Sequence, residues 1–126
     1  MPAAVTLSPL SSPLKTTLVV ITDLEGTLVT DVTGTTGVIR AIDIDNTTGG
    51  ASLSYLKIFD AKTGTLATTA PDWIFDSPAG TRQIYVIDNG CTFSTGLSLA
   101  CVKEPGTPGT SNPDAAVNVR LIISAS

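Results

Sequence analysis

Carboxylates are the side chains of this chain best placed to do chemistry, and they come in two short clusters. The first closes an apolar run, Val19-Val20-Ile21-Thr22-Asp23-Leu24-Glu25-Gly26-Thr27. Any chemistry built on it would have to run on carboxylates alone, Asp23 and Glu25. The second cluster is Asp43-Ile44-Asp45-Asn46, whose oxygens suit calcium. The rest of the inventory argues against both. The chain contains no histidine, which removes the commonest general base and the commonest metal ligand. Cys91 and Cys101 stand ten apart, with no further ligands for zinc and no basic neighbour to activate a thiolate.

The Asp23 motif resembles the opening motif of haloacid-dehalogenase-type phosphatases, an apolar strand followed by Asp-x-Asp-Gly-Thr. Here the second carboxylate is Glu25, one methylene longer. That family also uses a doubly wound α/β domain, and this sequence offers no crossover helices. The expectation is therefore a strand–turn–strand hairpin, Thr16–Thr22 and Thr27–Thr33, with Glu25-Gly26 at its tip. An EF-hand starting at Asp43 would need glycine and glutamate where Thr48 and Ser54 stand. In a strand, Asp43 and Asp45 simply share a solvated face. The cysteines are expected as buried free thiols packing as small hydrophobes. Trp73, Tyr55, Tyr85, Phe59, Phe75 and Phe93 fall within strands or at strand entries, which points to core or interface packing. The residues thus give no catalytic set, no cofactor and no metal site, and the chain is not expected to be an enzyme.

The elements that position these residues are short strands cut by glycine and proline turns. SYLKIFDA, DWIFD, TRQIYVID and GLSLACV have strand length and composition, separated by KTGT, SPAG and NGCTFSTG. In GVIRAIDIDN the alternation puts Ile39, Ala41, Asp43 and Asp45 on one face and Val38, Arg40, Ile42 and Ile44 on the other. Asn46-Thr-Thr-Gly49-Gly50 is a hairpin signal, and Asn89-Gly90 reads as another turn. AAVNVRLIIS has the cleanest period of two, with Val117, Val119, Leu121 and Ile123 inward and Asn118 and Arg120 outward. The fold class is all-β: an antiparallel β-sandwich or jelly-roll-like domain of about seven or eight strands. Glu104–Asp114 is a long loop rich in proline and glycine, either mobile or used in a contact.

A chain of 126 residues can bury a proper core without staples. Residues 17–126 are read as a single β-sandwich domain and residues 1–16 as an extended N-terminal arm. Pro2, Pro9 and Pro13 keep that arm extended, and Leu7, Leu10 and Leu14 could anchor it on a neighbouring subunit. Charged residues make 14% of the chain, against about 25% in an average domain. Part of the surface is therefore expected to be covered by other subunits. The seven basic residues are scattered within a net charge of −4, which speaks against nucleic-acid binding. No apolar run suggests a membrane span, and the N-terminus lacks the pattern of a signal peptide.

From Tyr55-Leu56-Lys57-Ile58-Phe59-Asp60-Ala61, through Thr68-Thr69-Ala70-Pro71-Asp72 and Ser77-Pro78-Ala79-Gly80-Thr81, to Gly90-Cys91-Thr92-Phe93-Ser94-Thr95-Gly96-Leu97, the chain resembles a group of small tailed-phage virion proteins. The likeness covers about residues 40–102 and consists of strand and turn residues. It implies a β-sandwich that decorates a phage particle, a capsid cement protein on the virion surface, made in the host cytoplasm. Its implied partners are the major capsid protein and further copies of itself, as a dimer or trimer, with Leu7, Leu10, Leu14 and Trp73 as interface candidates. A tail or baseplate component, and a free carbohydrate-binding or adhesin-like module, are the alternative readings.

Overall fold

A computed structural model describes residues 3–11 and 16–125. It is an all-β sandwich with eight strands and no helix among the described residues. The strands are β1 (Ala4–Ser11), β2 (Thr16–Thr22), β3 (Gly37–Asp45), β4 (Ser54–Phe59), β5 (Trp73–Ser77), β6 (Arg82–Phe93), β7 (Ser98–Val102) and β8 (Asn118–Ser124). A five-stranded antiparallel sheet runs in the order β1-β2-β8-β3-β6, and a three-stranded one in the order β5-β4-β7.

Alternation builds the core. Val19, Leu121 and Ile42 form one inward row across β2, β8 and β3, and Ile21, Val119 and Ile44 form the next. All six are fully buried against Leu56, Ile58, Leu99 and Cys101 of the smaller sheet. Phe75 of β5 and Tyr85 of β6 close one side, with ring centroids 5.1 Å apart. The outer face of the three-stranded sheet is buried as well. Phe59, Ala100, Val102 and Leu66 form a second cluster there, with Leu28 and Ala61 packed on it.

The strand pattern departs from the sequence expectation in several places, one of them the expected hairpin signal at Asn46-Thr-Thr-Gly49-Gly50, which is a crossover from β3 to β4 in the other sheet. Thr27–Thr33 is not a strand, and there is no hairpin at Glu25-Gly26. After β2 the chain turns through Asp23 in left-handed backbone (φ 54°), buries Leu24, and crosses to the other sheet. There Glu25, Val29 and Val32 bond irregularly along β7, at Cys101, Leu99 and Leu97. Uneven spacing between those contacts prevents a regular ladder.

In β3 a bulge at Arg40 shifts the alternation, so Ile39 points inward with Ile42 and Ile44 and does not share the face of Asp43 and Asp45. Asn89-Gly90 is not a turn. The residues Ile87–Gly90 stand opposite the single residue Arg40 inside the long strand β6. Gly90 takes φ 72°, and a side chain there would drive into Val38.

The segment expected to reach towards a neighbour as an arm lies instead along this chain's own β2. Ala4 pairs with Thr22, Leu7 with Val19 and Pro9 with Thr17. Val5 and Leu7 point to the core side of the sheet, but at the edge, where they remain 37% and 45% exposed.

Loop Glu104–Asp114 is tied to the body of the protein. Lys57, on the central strand of the small sheet, is fully buried and donates from Nζ to the carbonyls of Gly106 (2.6 Å) and Gly109 (3.2 Å). Asn112 Oδ1 accepts the Gly26 amide at 2.9 Å, and Lys103 reaches Asp114 at 3.0 Å. The loop thus covers the outer face of the three-stranded sheet.

Candidate functional site

With β4 and β7 of the small sheet covered on both sides and only its edge strand β5 showing Ile74 and Asp76, the broadest exposed sheet surface of the described residues is the outer face of the five-stranded sheet. Strand registers lay it out in rows. Leu18, Ile122, Ala41 and Val86 follow one another across β2, β8, β3 and β6, and the next row is Val20, Arg120, Asp43 and Ile84. Ile84 is 61% exposed and Val86 80% exposed. An apolar depression of about 290 Å³ opens between Leu18, Ala41, Ile84, Arg120 and Ile122. Contiguous exposed apolar side chains rimmed by polar groups are the signature of an interaction surface.

The rim is polar and carries all three arginines of the chain. Arg82 grips Asp43 from Nε (2.9 Å to Oδ1) and Nη2 (2.6 Å to Oδ2). Arg40 Nε donates to Ser124 Oγ at 3.0 Å. Arg120 is exposed beside the apolar row and makes no hydrogen bond among the described residues. Arginine next to apolar surface is a composition enriched in protein contacts, because its planar, weakly hydrated head is cheaply desolvated.

The expected reactive groups are spread apart. Asp43 is committed to Arg82. The hydroxyl and amide of Thr47 hold the Asp45 carboxyl below its ordinary value, and both contacts are local turn bonds. Asp23 sits at the far end of β2, where its amide donates to Asn118 Oδ1 at 3.0 Å. Among the described residues no three His, Cys, Asp or Glu side chains converge on one point. Cys91 and Cys101 are free and buried, and burial pushes the Cys101 thiol up to about 12. A thiol in that state is neither nucleophile nor ligand at neutral pH.

Asp60 is structural too. Its carboxylate accepts the amides of Thr95 (2.8 Å), Ser94 (3.1 Å) and Gly96 (3.4 Å), capping the loop into β7. Burial pushes this carboxyl up, but those amides outweigh it and leave it below its ordinary value. A carboxylate depressed in the folded state contributes stability above its unfolded value of 3.8, and loses it as pH falls through the folded value. Asp60→Asn is expected to cost about 1–3 kcal/mol at neutral pH. It should also flatten the pH dependence of stability below 3.8, as read by denaturant titration.

Of the interface residues expected from sequence, Leu7 lies on β1 at the sheet edge, away from the apolar row. Trp73, on β5, is half-buried against the main core. Leu14 and the side chain of Leu10 lie outside the described residues. Sequence reasoning missed Ile84 and Val86 as surface groups and Lys57 as an anchor. The signal for Lys57 was a lone charge within the apolar strand Ser54–Phe59. No protein-family model matches this chain, and comparison with curated proteins and with solved structures found no match.

Proposed function

We propose that this protein is a structural component of a tailed-phage particle, a decoration or cement protein that binds the outer surface of the capsid. The phage assignment rests on the sequence resemblance over residues 40–102. The observation that carries a contact role is the uncovered apolar face around Ile84 and Val86, flanked by arginines, in a chain whose buried Lys57 and Asn46 side chains tie down its own loops. A cement protein acts by burying surface at capsid-subunit junctions, so the free energy of contact adds directly to the stability of the shell. It needs a presented face and no reacting group. A glycan-binding reading is less favoured, because Trp73, Phe75 and Tyr85 are half-buried against the core and form no open stacking platform.

The test is to mix purified protein with empty capsids, pellet the shells and measure occupancy. Ile122→Lys, in the middle of the outer face, is expected to weaken attachment about tenfold or more. Unchanged occupancy would remove this face from the contact, and absence of pelleting by the native protein would move it to the tail or off the particle. This substitution is a cleaner probe than deleting residues 2–14, since that deletion removes edge strand β1 and disturbs the sheet itself.

A further inference from the structure

Sheet edges are templates for pairing with another chain, and folded proteins blunt them. Three of the four edges here are blunted. On β1, Pro9 removes a donor and the register is bulged at Pro9/Ser11. The β7 edge is occupied by bonds from Glu25, Val29 and Val32. β5 is five residues long, carries Asp76 and follows Asp72. The fourth edge is β6, which ends the five-stranded sheet. From Gln83 to Val86 it has no proline, no charge and no bulge, the insertion Ile87–Gly90 beginning after it, and no described segment other than β3 pairs with it.

The outward residues of that edge are complementary to their own reverse, a base at one end, an acid at the other and two aliphatics between. Arg82, Ile84 and Val86 share the outward face, Asp88 follows in the insertion, and all four are exposed. If two such strands run antiparallel about Tyr85, Arg82 of one copy falls opposite Asp88 of the other, and Ile84 falls opposite Val86. The twofold axis repeats both pairs. Directly opposed residues on one face of an antiparallel ladder stand close enough for apolar and opposite-charge pairs to interact. Arg82 can keep Asp43 on its own sheet while it meets the second Asp88. Tyr85 faces inward, where its hydroxyl donates to the Asp76 carbonyl at 2.6 Å, so the centre of the contact is already ordered.

We infer that β6 is the site of an isologous contact between two copies of this chain, paired antiparallel in the register Arg82–Asp88 and Ile84–Val86 about Tyr85. The contact joins two five-stranded sheets into one and places two copies of the outer face side by side. This deepens the proposed function by locating its self-contact, yet it is measured without capsids.

The experiment is the mass of the purified chain by light scattering and sedimentation equilibrium, from micromolar to millimolar concentration. The native protein is expected at twice the chain mass. Val86→Lys alters a side chain that is 80% exposed, so thermal unfolding should report an intact fold, while the dimer weakens about 100-fold. Asp88→Arg sets guanidiniums against each other at both ends and should dissociate the dimer, and adding Arg82→Asp should restore it. A native chain that stays monomeric throughout, or a dimer indifferent to Val86→Lys, would overturn the inference. Dissociation by Val86→Lys without rescue by the double swap would overturn the register. A monomer that still pellets with capsids would sink this inference and leave the proposed function standing; a dimer that ignores capsids would do the reverse.

Discussion

Lys57→Ala is expected to destabilise the protein by about 3–5 kcal/mol, because it removes a fully buried stem and the charged donor of two hydrogen bonds together. Lys57→Met separates the two effects. It keeps most of the volume and deletes the bonds to Gly106 and Gly109, for an expected loss of about 1.5–3 kcal/mol. With its anchor gone, the loop should open locally before the sandwich unfolds, so hydrogen exchange of Gly109 and Ser111 should accelerate more than exchange within β8. Burial holds the Lys57 ammonium below its ordinary value, with Glu104 partly opposing the shift. The folded state therefore binds fewer protons than the unfolded state just below 10.5, and the burial penalty on the charge is relieved as pH rises through that window. The native protein should gain stability relative to Lys57→Met as pH approaches 10.5. A loss under 1 kcal/mol for Lys57→Ala by denaturant titration, with unchanged loop exchange, would show that the loop is held by its other bonds.

The all-β class and most of the strands were legible in the sequence, because period-two alternation and turn residues are local signals. The failures were non-local. β1 was read as an arm, since Pro9 argues against a central strand; it is compatible with the edge position that the strand occupies. Thr27–Thr33 has β composition, but the chain there must cross between sheets. The Arg40 bulge and the insertion at Ile87–Gly90 answer each other across two strands, and neither sequence alone marks the register shift. The same limit applies to the candidate site. Alternation in Arg82–Asp88 says which residues share a face, but both sets mix polar and apolar groups, Gln83 with Tyr85 and Ile87 against Arg82 and Asp88 with Ile84 and Val86, so local pattern cannot say which face is covered.

Several turn and strand residues between Asn46 and Gly96 have identifiable physical roles in this fold. Asn46 donates to the carbonyls of Ser52 (2.8 Å), Ser77 (3.0 Å) and Pro78 (3.2 Å), tying the crossover from β3 to β4 to the Pro78-Ala79-Gly80 turn. The Gly80 amide returns a bond to the Asn46 carbonyl at 3.0 Å. Lys57 fastens one loop and Asp60 caps another, beside Gly96, where a side chain would press on Lys62. In this chain these residues are thus a set of loop staples that holds the sandwich together. The outer face, where a partner would sit, is built from different residues.

The core itself gives the other large effect. Leu121 lies on β8, the middle strand of the five-stranded sheet, opposite Val19 on one side and Ile42 on the other. It is fully buried in the main cluster between the two sheets. Leu121→Ala leaves a void that neighbours on two flanking strands and the opposing sheet cannot readily fill, because ladder hydrogen bonds fix the backbone on both sides. The expected loss is about 2–5 kcal/mol, the range for leucines truncated in packed cores. Ile122→Ala, one residue on but facing outward, should cost far less, since its side chain is only partly buried and water can follow the truncation. The pair tests the assignment of faces in one step: denaturant midpoints of the two variants should separate widely, with the slope unchanged. Equal losses would mean that the outer face is covered in solution, and the mass of the native protein would then identify the covering partner as a second copy or rule it out.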